Sequence, residues 1–501
     1  MRTVALLAVV LSLLLPCQSP AREVQGARYV KDGQGLALVW GTHSDRGYAA
    51  GYLLGDDAVK LFRAYVSAFF GWSQYAVAVQ LYDGSFTLPV EFEVESAQFL
   101  IGARDAGVDV YQPELGRDLA LIDLAIMSSL PDLQALRTGP DLLCSSISAW
   151  GAGLTDEPGF DGELVHARNL DWSDTAQHDL ASRTLVLVSI PAETDEQPWV
   201  SLTFPGMWGA LSAMSSSGVG VTLNMGNYEV DPTFPCDPIL MTMRTAVEKR
   251  DANGDGSCTM DDIADLVVAS SRGSSYILHC FMQPADAGAG APDVVLEANA
   301  DTWAIRYDVD DPVVSPDFLL ATNHHRKAYP PVYCSRYETL QNEVVARRPV
   351  DTAEAYDIVR QVASGPSTLQ SMILRPDPRD VFISHITSQG AQSPVVHFTW
   401  DELMAPPVPK PVVSGPCYLT SGQSTTLDAG PGYVSYLWST GATTQTIEVA
   451  PAVTTTYSVT VTDAEGWQGH DSFTVWVLSD DTIFIDCFES GDASAWSATV
   501  P

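Results

Sequence analysis

The chain has 501 residues, with 62 Asp or Glu against 26 Lys or Arg, a formal net charge of −36. Such a balance argues against nucleic acid and anionic membrane surfaces as partners. A hydrophobic share of 46% is that of a globular chain able to build a sizeable core, and the length suggests roughly two to four domains.

Residues 1–21 read as a signal peptide: Arg2, an apolar run from Val4 to Leu15, then Ser19-Pro20-Ala21 as a small-residue cleavage site. That run is too short to cross a bilayer, and no later run is longer, so no membrane span is expected. Cys17 follows Pro16, a poor context for lipidation. Export implies an extracellular or periplasmic, oxidising location. Seven cysteines remain, at 144, 236, 258, 280, 334, 417 and 487. With Cys144 set aside as a reactive thiol, the other six have room for three disulfides of unreadable connectivity.

Residues 22–143 hold a strand-like LALVWGTH, a helical pattern from Gly47 to Trp72, and a second from Glu114 to Leu136 that Pro131 would kink or end. The block is expected to pack on the rest, as a propeptide or small subunit.

The stretch from Leu142 to Trp172 organises the rest of the chain. Cys144 precedes the β-type run SSISAW. Turn chemistry at Asp156, Pro158, Gly159, Asp161 and Gly162 leads to ELVHA and then Arg168-Asn169-Leu170-Asp171. This reads as a hairpin that returns Arg168 and Asp171 towards Cys144. A thiol is a strong nucleophile only as thiolate, and a free cysteine titrates near ~8.5. An α-amino group titrates near ~7.7–8.0. A cysteine at a chain start therefore carries its own base. Arg168 would favour the thiolate, and Asp171 would hold the amine or the arginine. Alone, a cysteine reads as an ordinary core residue; the ordered set of polar residues argues otherwise.

Further strand-like runs, RTLVLVSIP, WVSLTF and GVGVTLNM, lead to Asn224. Its amide is suited to donate to an oxyanion, although beside Gly226 it also reads as a turn residue. FLLATNHH carries Asn323, and CSRY carries Arg336. The adjacent His324 and His325 point to opposite faces of a strand, and no carboxylate set at ligand spacing accompanies them, so no metal is expected there.

The Cys-Ser-Ser start, the DG turn and HARNLDW resemble the start of the mature chain in cysteine N-terminal-nucleophile (Ntn) amide hydrolases. The resemblance is nearest to the acyl-coenzyme A:6-aminopenicillanic acid acyltransferase-like family, then to acid ceramidase and choloylglycine hydrolase. It covers roughly residues 140–400, with a weaker trace in HSDRGYAAGYLLG. It implies self-cleavage before Cys144 and a catalytic set of Cys144, Arg168, Asp171, Asn224, Asn323 and Arg336. The substrate implied is a small N-acyl amide, handled without a catalytic cofactor. Ser145 stands where threonine is frequent in the family.

Within residues 144–404, the segment 251–262 fits an EF-hand loop. Asp251, Asn253, Asp255, Ser257, Thr259 and Asp262 are the expected ligands of a structural Ca2+, with Gly256 at the turn. Aspartate rather than glutamate closes it, as in dockerin-type loops. Residues 405–412 form a proline-rich linker. Residues 413–479 alternate with period two between frequent turns, which predicts a small β-sandwich; SYLWSTG and TTTYSVTVTD resemble PKD-like and Ig-like modules. Residues 480–501 are a tail, and Cys417 and Cys487 are placed to staple the module. The expected fold class is α+β, a four-layer αββα Ntn-hydrolase sandwich followed by a small all-β Ig-like sandwich. The function expected is a secreted, self-processing cysteine amidohydrolase or acyltransferase. The alternative is a non-catalytic surface or binding protein, using the β-sandwich and calcium loop to contact a cell surface or extracellular polymer.

Overall fold

The computed structural model describes residues 22–66, 70–133, 143–155, 164–172, 180–227, 231–287, 290–387 and 389–478. The expected signal peptide, the turn at 156–162 and the tail with Cys487 lie outside the described residues.

Strands Gly26–Lys31 (β1) and Gln34–Gly41 (β2) form a hairpin. Helix His43–Leu61 (α1) starts at a capping box, where Thr42 accepts from Asp45 N–H and the Asp45 carboxylate accepts in return. Helices Trp72–Ser85 (α2) and Val90–Asp105 (α3) follow. Helix α3 crosses α1 at very close range: a Cβ on Gly51 would lie 1.9 Å from the Phe99 carbonyl oxygen. A two-residue hairpin, Tyr111–Gln112 (β3) with Arg117–Asp118 (β4), precedes helix Leu121–Ser128 (α4).

Two helices depart from the sequence reading. The first is an α-helix over His43–Leu61 that continues as a π-helix over Phe62–Val66, with a separate helix from Trp72, and the second begins at Leu121 rather than Glu114. The chain at Glu114 is turning back, with Gly116 at φ +64° between the strands of the small hairpin.

The expected hairpin is Ser145–Trp150 (β5) with Leu164–Asp171 (β6), in a register that sets Ser146 opposite Arg168 and Ser148 opposite His166. Next come Leu185–Pro191 (β7), Trp199–Thr203 (β8), Ser212–Ser215 (β9) and Gly220–Met225 (β10). Helices Ile239–Glu248 (α5) and Met260–Ala269 (α6) lead to Tyr276–Phe281 (β11), Asp293–Ala298 (β12) and Trp303–Arg306 (β13). The remainder of this body is Phe318–Ala321 (β14), helices Ser335–Arg347 (α7) and Thr352–Arg360 (α8), and strands Thr368–Arg375 (β15), Asp380–His385 (β16) and Val396–Phe398 (β17). Helix Trp400–Met404 (α9) closes it.

These strands make two sheets. One has nine strands in the order β1-β2-β7-β8-β9-β10-β11-β12-β13, and the other six, β14-β5-β6-β15-β16-β17. Period-two alternation gives the six-stranded sheet two different faces. Ile147, Ala149, Val165, Ala167, Phe318 and Ile373 pack with Tyr337, Leu340 and Val344 of α7 and Ile358 of α8. The other face carries Ser146, Ser148, His166 and Arg168, which reach the nine-stranded sheet at His279, Thr222 and Ser212. Helices α5 and α6 pack against β9 to β12, and α1 against β1 and β2.

Strands Tyr418–Thr420 (β18), Thr425–Asp428 (β19), Ser435–Trp438 (β20), Thr446–Val449 (β21), Thr455–Thr462 (β22) and Gln468–Leu478 (β23) form a four-stranded sheet, β18-β23-β22-β20, and a pair, β19-β21. Leu427, Trp438, Val459, Val461 and Val475 make a core of their own. This region is docked on the body. Trp467 is buried in the main core and donates to Glu402 at 3.2 Å, and Lys31 Nζ reaches the same carboxylate at 2.6 Å.

The expectation of up to three disulfides is corrected. Cys236, Cys258, Cys280 and Cys334 are free thiols, as is Cys144. Cys280 faces the packed core from near the end of β11, and Cys236 lies beside Gly273 near Phe86. Among the described cysteines only Cys417 is in a disulfide. Among the described residues no helix is long and apolar enough to cross a membrane.

Candidate active site

Cys144 stands immediately before β5 and is fully buried, while Leu143 is exposed. The β5–β6 pairing brings Arg168 alongside, with Nη2 3.4 Å from the Cys144 sulfur. The same guanidinium donates to the carbonyls of Leu211 and Leu223 and to the Ser212 hydroxyl. Three backbone and side-chain oxygens therefore fix the plane of a fully buried arginine, and its charge is aimed at sulfur.

Asp171, at the end of β6, accepts from the hydroxyls of Thr368 and Ser364. The Leu143 N–H donates to the Asp171 carbonyl at 3.1 Å. Arg336, in the first turn of α7, spans the site. Its Nη1 donates to the carbonyl oxygens of both Leu143 and Cys144, the latter at 2.9 Å, and its Nη2 donates to Asn323 Oδ1 at 2.8 Å. The Asp171 carboxylate is 4.0 Å from Nη1. Asn323 is held in turn, with Nδ2 donating to the Met225 carbonyl at 2.7 Å. Asn224, next to Met225 on β10, donates to the Ser146 hydroxyl at 3.4 Å. All six residues expected to act are thus in one region where the ends of β5, β6, β10 and β14 meet the start of α7.

Burial pushes the Cys144 thiol above its ordinary value. Arg168 and Arg336 pull it down without reversing the shift, and Asp171 adds to it. Burial likewise raises the Asp171 carboxyl, against the hydroxyls of Thr368 and Ser364 and the charge of Arg336. These shifts favour a neutral thiol beside the Arg168 cation.

Several further polar partners in this region are not among the candidate site residues read from the sequence. Ser146, Ser148, His166, Thr222, Ser212, His279 and Asp293 fill the space between the two sheets, all fully buried. A signal for part of the set does exist: polar residues at 144, 146 and 148 alternate with Ile147 and Ala149, and 166 and 168 share a parity. His325 donates to or accepts from the Ser275 hydroxyl at 2.7 Å.

In the 251–262 loop the side-chain oxygens accept from nearby backbone N–H groups. Asp251 accepts from the N–H groups of Gly254 and Gly256, Asn253 from Asp255 N–H, and Asp255 from Ser257. Gly254 and Gly256 have φ of +84° and +96°, a region that favours glycine. The donor set is all oxygen, which fits calcium chemistry. Asp262 is placed differently from a free twelfth-position ligand. Its carboxylate takes the N–H groups of Ala252, Asn253 and Thr259, capping α6 together with Thr259.

No family model matches the chain. Its sequence is 24% identical over 296 residues to an uncharacterized protein of Archaeoglobus fulgidus, an alignment covering 56% of this chain and 46% of the other. The chain thus spans about half the length of the curated relative it matches. Among solved structures it is similar to an N-acylethanolamine-hydrolyzing acid amidase ortholog of Caenorhabditis elegans, with 19% identity, 46% of this chain and 93% of the other covered, and a TM-score of 0.35. Similar too are a penicillin V acylase of Agrobacterium tumefaciens (11% identity, 52% and 87% covered, TM-score 0.34) and a mutant conjugated bile acid hydrolase of Clostridium perfringens (9% identity, 52% and 94% covered, TM-score 0.34).

Proposed function

We propose that the protein is a secreted, self-processing cysteine Ntn hydrolase of the penicillin-acyltransferase-like group. It would cleave linear, non-peptide N-acyl amides, or transfer their acyl groups, through a thioester on Cys144. One observation carries the reading: Arg336 donates to the carbonyls on both sides of Cys144, while Arg168 faces the sulfur at 3.4 Å.

In the first stage the Cys144 sulfur attacks the Leu143 carbonyl carbon. The oxyanion forms where Arg336 already donates. Collapse breaks the Leu143–Cys144 C–N bond, the nitrogen takes a proton, and the Leu143 acyl group is left as a thioester. Water then frees the sulfur. The exposed α-amine of Cys144 now replaces the missing base. In turnover this amine takes the thiol proton, and the sulfur attacks a substrate amide carbonyl. Asn224 and backbone N–H groups hold the oxyanion. The amine gives its proton to the leaving amine, then activates water or an acceptor amine to clear the thioester. Asp171 and Arg168 hold this end in place, and Arg336 and Asn323 border the substrate side.

The same reading includes the expected frame: a four-layer αββα body, an Ig-like or PKD-like module at 413–479, export through residues 1–21, and a structural calcium ion at 251–262. Its support in the body is the pair of facing sheets with helices on their outer sides. The test is a panel of N-acyl amino acids, acylated β-lactam nuclei, bile-salt conjugates and ceramides, with acid quench and intact mass. An acyl adduct on the Cys144 peptide is expected. Turnover that survives Cys144→Ala contradicts the assignment.

A further inference from the structure

The Asn224 amide has one hydrogen bond, from Nδ2 to Ser146 Oγ at 3.4 Å, while its Oδ1 is buried without a partner. Among the described residues its side chain makes no other hydrogen bond. The Ser146 oxygen lies 2.7 Å from His279 Nδ1, and His279 Nε2 lies 2.7 Å from Asp293 Oδ1. All four side chains are fully buried.

Donor counting gives the chain a direction. An amide nitrogen only donates, so Ser146 Oγ accepts from Asn224 and turns its own proton to His279 Nδ1. The His279 proton is then on Nε2 and is donated to Asp293 Oδ1. Burial lowers the His279 pKa and raises that of Asp293. His166 braces the histidine edge-on at 4.6 Å between ring centroids and stacks on Phe281 at 4.5 Å. The Ser148 hydroxyl is 2.8 Å from His166 Nδ1 and 3.2 Å from His279 Nε2. That hydroxyl occupies the space between the two histidines and Asp293 that an ion would need.

We propose that Ser146, His279 and Asp293 are positioning residues for Asn224, a buried relay that holds its amide so that the second N–H of Nδ2 is presented to the oxyanion. The inference rests on the reading of Asn224 as an oxyanion donor. Such a relay acts on the transition state and not on substrate uptake, because all of its members are fully buried.

The experiment uses full-length, self-processed protein and p-nitrophenyl hexanoate as acyl donor, following p-nitrophenolate release. Ser146→Ala and Asp293→Asn are each expected to lower kcat about tenfold with KM unchanged, and Ser146→Thr, which restores the hydroxyl, to recover most of it. Asn224→Ala should lose about 10²–10³. Placed on Asn224→Ala, Ser146→Ala and Asp293→Asn should cause no further loss, since their effect runs through the missing amide. A merely structural role would lower melting temperature and give additive losses. Additive loss, or wild-type kcat in both single variants, overturns the relay. Should Ser146→Ala fail to fold, the isosteric Asp293→Asn carries the test alone. Wild-type kcat in Asn224→Ala, or no acylation of Cys144 by the ester, instead contradicts the proposed function and the relay with it.

Discussion

At the scale of single residues, the site pairs a neutral, buried thiol with two arginines of different duty. Arg168 is clamped by the carbonyls of Leu211 and Leu223 and touches sulfur. Arg336 is less enclosed and grips two successive carbonyls. A planar guanidinium suits that fork, and an ammonium does not. Arg336→Ala is therefore expected to slow fragment formation by about 10²–10³, with Arg336→Lys intermediate, followed by gel on freshly purified protein. Unchanged cleavage in Arg336→Ala would remove this arginine from the first stage. The juxtaposition of Cys144, Arg168 and Asp171 was legible because it is local: all three fall within one hairpin. The relay beyond Ser146 was not legible. His279 is 133 residues further on, and only the stacking of two sheets, which no local periodicity encodes, brings it within 2.7 Å.

At the scale of elements, strand alternation was readable and helix ends were less so. The approach of α1 and α3 at Gly51 and Phe99 is a tertiary fact, and it determines which residues of HSDRGYAAGYLLG must be small. The 251–262 loop shows the same divide. Its oxygen spacing is visible in sequence, whereas the use of Asp262 as a cap for α6 appears only when its three N–H partners are in place. Calcium added to metal-free protein should raise the melting temperature by mass action, and Asp251→Ala with Asp255→Ala should abolish the rise. Asp262→Ala should lower the melting temperature even without calcium, since three N–H groups lose their acceptor. No shift on calcium addition to wild type would make the loop a self-contained turn.

At the scale of the molecule, residues on either side of the proposed cleavage point share both a sheet and a charge cluster. Strand β2 pairs in parallel with β7. His43, Arg46 and Glu95 from the first segment meet Glu196, Arg244 and Glu248 from the second. Arg244 reaches Glu95 at 2.6 and 2.7 Å, and Arg46 reaches Glu196 at 2.8 Å. Two fragments made by cleavage at Leu143 would accordingly stay together. Burial lowers the His43 pKa, but hydrogen bonds to Glu196 and Glu95 outweigh it and raise the value to about 9. Burial raises Glu196, and His43 and Lys249 more than offset it, bringing it to about 2. The histidine's contribution is complete below its ordinary 6.5 and is lost as pH rises through about 9. The glutamate's is complete above its ordinary 4.5 and is lost as pH falls towards about 2. The melting temperature should therefore peak between these ordinary values and fall on both sides, and His43→Gln should flatten the alkaline limb. An alkaline limb of the same slope in that variant would contradict the assignment.

The claim on which the rest depends is that Cys144 becomes a chain start. Intact-mass analysis of the purified protein tests it most directly. The account predicts two fragments that meet between Leu143 and Cys144, co-eluting under native conditions, with Cys144→Ala remaining a single chain. A wild-type chain that stays whole while turning over an N-acyl amide would contradict it.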